Sequence, residues 1–347
     1  MATVWFALIA FMIGMYVLLD GFDLGAGVIH LFAARTPEER QQIVRAIGPV
    51  WDGNEVWLLA AGGAIFAAFP LLYASSFSGF YLPLIMVLWM LMMRGLALEL
   101  RSAIGDPLWA TFWDALFFLG SLLLAVFFGA ALGNVVRGVP LDAKGYFFEP
   151  LWTTFNPKSA QPGILDWYTV LIGVLALATL VMHGSNYIAY KTEGALNART
   201  RRIGRLAWVV TALLTVLGTV ATFWLHSSMW TSFTDRPWGF VFAVLAVGGL
   251  LATAYFQATG RELAGLLASG AFILGMLTST AFAVYPNVLP AVDPANSLTV
   301  GNASSPHYGL MAAVIWWGIA MVLAAVYFVF LYRMFRGRVR LTGEPGY

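Results

Sequence analysis

The sequence predicts an all-α, polytopic membrane protein. Nine transmembrane helices are expected, as two four-helix bundles plus one peripheral helix, with the N-terminus periplasmic and the C-terminus cytoplasmic. Three observations carry this expectation. Of 347 residues, 60% are hydrophobic and only 10% charged, whereas a soluble domain carries about 25% charged residues. Apolar runs of the roughly 20 residues needed to cross a bilayer recur nine times along the chain. Fourteen of the nineteen lysines and arginines fall in the odd-numbered connections and the C-terminal tail, and four in the even ones. That bias places the odd connections in the cytoplasm.

The first run, residues 4–33, follows Met1-Ala2-Thr3 with no basic segment ahead of it, so it reads as a retained helix and not a cleaved signal. In residues 34–48, Thr36 is placed to cap a short surface helix, with Pro37 at its first position and Glu39 at its third. Runs at 54–74, 79–98 and 109–134 complete a first bundle over residues 1–134. Residues 135–163 are polar and carry Pro and Gly, as a periplasmic connection would. Runs at 164–190, 204–226, 238–257 and 262–285 form a second bundle over 164–285. A second periplasmic connection, 286–307, has no Lys or Arg, and the ninth run, 308–334, leads into a basic cytoplasmic tail within 308–347. Leu18-Leu19-Asp20-Gly21-Phe22-Asp23 is faintly echoed by Val181-Met182-His183-Gly184-Ser185-Asn186, 163 residues later. A shift of four spans keeps sidedness, so this is a parallel repeat and not an inverted one.

Several function classes drop out. The chain has no cysteine, which removes thiolate metal sites, iron–sulfur clusters and disulfide scaffolds. A net charge of +2 offers no basic field for nucleic acid. Neither G-x-x-x-x-G-K-[ST], G-x-G-x-x-G nor H-E-x-x-H occurs, so nucleotide and metalloprotease motifs are missing.

Ionisable residues inside spans are the informative ones, because each costs several kcal/mol unless paired or hydrated. Asp20 and Asp23 lie three apart on one face of span one, beside a Gly21/Gly25 step that admits a close helix neighbour. They read either as seam packing or as a proton-accessible carboxylate pair. Asp52 and Glu55, in Trp51-Asp52-Gly53-Asn54-Glu55-Val56-Trp57 at the start of span two, have capping-box spacing. A cap and a proton acceptor are compatible roles for Asp52. Arg94, near the end of span three, reads as a snorkelling residue, an internal counter-ion or a contact for a polar headgroup. Among His30, His183, His226 and His307, only His183 falls well inside a span. A lone intramembrane histidine is more often a hydrogen-bonded seam residue than a ligand, and no metal site is expected.

At these residues the sequence resembles subunit II of the cytochrome bd-type quinol oxidases. The resemblance rests on Asp20-Gly21-Phe22-Asp23-Leu24-Gly25-Ala26-Gly27, on Trp51-Asp52-Gly53-Asn54-Glu55-Val56-Trp57-Leu58 and on Gly62 to Pro70. It continues through Phe77-Ser78-Gly79-Phe80-Tyr81, Arg94 with Glu99-Leu100-Arg101-Ser102, His183-Gly184 and Lys191-Thr192-Glu193-Gly194. It implies a heterodimer in the bacterial cytoplasmic membrane, in which subunit I carries haems b and haem d and this chain firmly binds no cofactor. Quinol is then the substrate of the complex, and membrane lipids surround it. By the same resemblance Asp52 matches an acid that takes protons from the cytoplasm, and Trp51 and Arg94 match positions near a structural quinone in some members; Glu55, Asp20 and Asp23 are the further candidate catalytic acids. Whether such a quinone or a small accessory subunit is present stays open at this stage. The competing class is a secondary transporter with Asp20, Asp23, Asp52 and Arg94 as its substrate and ion site.

Overall fold

The computed structural model describes residues 1–339; Arg340 and the rest of the basic tail lie outside the described residues. Helix α1 (Ala2–Ala33) is followed by a surface helix α2 (Pro37–Ile47), then α3 (Trp51–Ala68), α4 (Pro70–Gly79), α5 (Tyr81–Leu100) and α6 (Pro107–Arg137). After a long loop come α7 (Trp167–Lys191), α8 (Gly194–Leu225), the short α9 (Ser228–Asp235), α10 (Phe240–Thr259) and α11 (Glu262–Val284). A small antiparallel pair, β1 (Asn287–Leu289) with β2 (Leu298–Thr299), precedes α12 (His307–Met334).

Local chemistry explains where the helices start. Thr36 accepts from the Glu39 amide and Pro37 opens α2, as its spacing predicts. Asp106 caps α6 through the amides of Leu108 and Trp109, with Pro107 next. At α7, Asp166 and Thr169 form a reciprocal capping box.

Eight described helices are long and apolar enough to cross a membrane, and the bent pair α3–α4 makes up to nine. That bend corrects one expectation. The run 54–74 is not one straight span, because α3 stops at Ala68 and α4 departs at 120°. Pro70 is the cause. Its ring disfavours the helical region for the preceding residue, and Phe69 adopts φ −134°, ψ 67° instead.

Helix α1 is central and packs on α3, α6, α7 and α11; α5 lies on α6, α8 on α7, and α10 on α11. Helices α1 and α7, the two related by the sequence echo, cross in close contact. A Cβ added at Gly25 would stand 1.9 Å from the Leu180 carbonyl oxygen, and one at Gly184 would stand 2.5 Å from the Ala26 nitrogen. No larger residue fits at either position without separating the helices. Next to this crossing Phe22 stacks on Tyr187, with ring centroids 3.9 Å apart. Helix α12 is the least buried span and rests mainly on α3 and α1.

Candidate functional site

The packing of α1, α3 and α5 brings together acids and a base that lie far apart in sequence. Arg94, from α5, is fully buried. Its Nη1 donates to Asp20 Oδ1 at 2.6 Å and its Nη2 to Glu55 Oε2 at 2.8 Å. Arg94 is therefore an internal counter-ion and does not snorkel. Asp20 has no exposure, whereas the Glu55 side chain is 22% exposed, so Glu55 is the edge of the cluster nearest its surroundings. The Trp51 ring lies 5.9 Å from the guanidinium carbon, a cation–π contact that closes one side.

Asp23, one turn along α1 from Asp20, has a different partner. Its Oδ2 accepts from Asn54 Nδ2 at 2.8 Å, and Asn54 Oδ1 accepts from the Tyr332 hydroxyl at 2.9 Å. Two carboxyl groups, Asp20 and Glu55, thus share one guanidinium, and a third, Asp23, sits one turn further along α1 against Asn54. Burying a charge without a partner is costly, and acids that outnumber their cation form a place where protons can reside.

Asp52 and Glu55 do not form the expected capping box. Helix α3 begins two residues earlier, with Val50 at the N-cap and no side-chain capping bond. Asp52 sits exposed in the first turn, where the helix dipole favours a carboxylate. The physical reason is Arg94, which draws the Glu55 carboxylate sideways across the helix seam. Asp52 and Glu55, three apart, remain neighbours on one helical face.

Arg94 is also the residue that the quinone expectation names beside Trp51. Both Nη atoms are engaged by acids and the whole side chain is enclosed, while its Nε has no hydrogen-bond partner among the described residues. Trp51 is half-buried beside it.

His183 uses both ring nitrogens within the protein, Nδ1 with Ser269 Oγ at 2.7 Å and Nε2 with the Leu18 carbonyl at 2.9 Å. It is a seam residue between α7, α11 and α1. Among the described residues, no group of three or more His, Cys, Asp or Glu could hold a metal ion.

Two clusters escaped the sequence reading. Asp114 on α6 accepts from Arg101 Nε at 2.6 Å and Arg40 Nη1 at 3.2 Å, with His30 Nε2 at 3.6 Å. It joins α1, α2, α5 and α6 at the end that carries α2. The signal was available, because Asp114 is the one acid inside the fourth apolar run. At the opposite end, buried Arg137 pairs with Asp166 at 2.5 Å and with Glu149 of the long loop. Nothing in the local pattern marks Glu149, since its burial depends on how the loop folds back. Burial pushes its carboxyl up to about 7; Arg137 pulls the other way, and Asp166, sharing that guanidinium, adds to the rise.

Fold and site together define a class: a polytopic α-helical membrane protein with an internal ion-pair cluster near one end of the bundle. A family model described as cytochrome bd terminal oxidase subunit II matches residues 1–335. The chain is 32% identical to a Haemophilus influenzae protein named "Probable cytochrome oxidase subunit 2", over 97% of this chain and 94% of that one. It is 33% identical to cytochrome bd ubiquinol oxidase subunit 2 of Bacillus subtilis, over 88% of this chain and 87% of that protein. The solved structure of bd oxidase from Geobacillus thermodenitrificans shares the fold, with a TM-score of 0.74 at 14% identity, covering 96% of this chain and 98% of that one. The chain belongs to the cytochrome bd terminal oxidase subunit II family. It is a multi-pass protein of the bacterial inner membrane.

Proposed function

We propose that this chain supplies protons to a respiratory quinol oxidase, pairing with a haem-bearing subunit I whose haems b and haem d reduce oxygen to water. The single observation behind this reading is the pairing of Asp20 and Glu55 with fully buried Arg94, Asp23 lying one turn beyond Asp20 and exposed Asp52 one turn from Glu55. Reduction of oxygen consumes protons, and a haem pocket buried in a membrane needs a polar route from water. Asp52 takes up the proton at the end of the bundle that carries α2, which the charge bias assigns to the cytoplasm. Glu55, partly exposed and three residues on, receives it at the edge of the cluster, and Asp20 and Asp23 hold protons further in. Arg94 keeps the carboxyls together and limits the charge that the membrane interior must bear.

The test separates proton handling from structure. In the complete oxidase, Asp52→Asn keeps the shape and the helix start but removes the titratable group. Quinol-driven oxygen consumption is expected to fall about tenfold, roughly 1.4 kcal/mol on the limiting barrier, with haem content unchanged. Because Asp52 makes no capping bond, Asp52→Ala is expected to cost no more than the dipole interaction, about 0.3–1 kcal/mol. This replaces the loss of a cap that the sequence spacing implies. Turnover of Asp52→Asn at the wild-type rate across pH 6 to 8, in a fully assembled complex, would remove Asp52 from the route.

A further inference from the structure

Helix α12 reaches the acid cluster through one side chain. The Tyr332 hydroxyl donates to Asn54 Oδ1, and Asn54 Nδ2 donates both to Asp23 Oδ2 and, at 3.3 Å, to the Leu19 carbonyl. The direction of this chain is set chemically. A backbone carbonyl only accepts, so the amide nitrogen must face Leu19, its oxygen must face Tyr332, and the hydroxyl must donate. Each bond polarises the next and makes the amide a stronger donor to the carboxylate. A side-chain amide does not readily pass protons along, so Tyr332 and Asn54 are a brace and not a wire. The other oxygen of the acid, Asp23 Oδ1, is buried with no hydrogen-bond partner among the described residues.

The segment after α12 holds this brace in place. Lys191 Nζ donates to the Phe335 carbonyl at 2.6 Å, and the Val339 amide donates to the Lys191 carbonyl at 2.8 Å. Gln42 Nε2 donates to the Val339 carbonyl at 2.8 Å, and Arg338 pairs with Glu193 at 2.6 Å and Glu262 at 3.2 Å. Helix α12, which meets α1 and α3 through Leu310, Trp317 and Phe328, is thereby tied at its end to α2, α7, α8 and α11, and its Tyr332 hydroxyl stays on Asn54.

We infer that Tyr332 is a positioning residue which, through Asn54, holds Asp23 Oδ2 as an acceptor so that Asp23 takes up and releases its proton at Oδ1. This rests on the proton-handling reading above. The test uses the complete oxidase with three substitutions. Asp23→Asn identifies the carboxylic C=O stretch of Asp23 by removing it from the infrared difference spectrum. Tyr332→Phe, which loses one hydroxyl, is expected to shift that band. It is also expected to lower turnover at saturating quinol about fivefold, the effect of one neutral hydrogen bond on the barrier, with KM for quinol unchanged. Asn54→Ala, which leaves α12 untouched, is expected to shift the same band, so a failure of Tyr332→Phe to assemble does not decide the matter. An unshifted band in whichever of these variants assembles overturns the inference while leaving the proton route intact. Wild-type turnover by Asp23→Asn instead overturns the role of Asp23 in that route, and this inference with it.

Discussion

Glu149→Gln isolates a pH-dependent contribution to the loop over residues 138–166. In the wild type, Glu149 is buried against Arg137, which also serves Asp166. Its carboxyl is pushed up to about 7 from the ordinary value of 4.5. An acid whose folded pKa lies above its unfolded one favours the fold fully below the unfolded pKa, and that contribution is lost as pH rises through the folded pKa. A rise of this size is worth about 3 kcal/mol in all, most of it lost between about pH 5 and 7. The loop is anchored close by, where Ile164 and Leu165 amides donate to the carbonyls of Pro150 and Leu151. Hydrogen exchange of those two amides, corrected for the intrinsic rate at each pH, reads the opening equilibrium. Wild-type opening is expected to increase roughly fiftyfold from pH 5 to pH 8. In Glu149→Gln the dependence should be nearly flat, with the two proteins converging below about pH 4, where Glu149 is neutral in the closed and the open loop alike. A wild-type loop equally protected at both pH values would refute the reasoning, and would mean that the ion pair with Arg137 outweighs burial.

Arg94→Gln leaves Asp20 buried without its cation, and losing one partner of a buried pair typically costs about 3–5 kcal/mol; the expected result is a low yield of assembled oxidase and a lower unfolding temperature, whereas normal yield and stability would place the charge balance elsewhere. A reporter joined after Tyr347 should be active in the cytoplasm and one inserted beside Lys144 in the periplasm; the opposite pattern would reverse the sidedness assigned to the whole bundle.

Much of the fold is legible in the sequence because hydropathy is a local, additive property. Nine apolar runs can be counted without knowing which helix touches which, and Thr36-Pro37 at the start of α2 works through atoms only three residues apart. Gly21 and Gly25 announce a close neighbour in the same way, although not that the neighbour is α7. The misplaced details share one feature. The capping box at Asp52 and Glu55 has the right spacing, but a buried guanidinium on another helix competes for Glu55 more strongly than an amide at the helix start.

By itself the sequence determined the solvent, the all-α polytopic class and the family, together with the short roll of polar residues that a membrane protein must justify. Only the tertiary structure decided the partners of those residues. Asp20 and Asp23 are one turn apart and look alike in sequence, yet one meets an arginine and the other an amide braced by the last helix. The physical reason is that ion pairs and hydrogen bonds act over about 3 Å, so they depend on the depth and rotation of each helix against its neighbours. Hydropathy is indifferent to both. Two glycines that let α1 and α7 touch, and a proline that breaks span two, set those depths and rotations, and with them which acid stands beside which base.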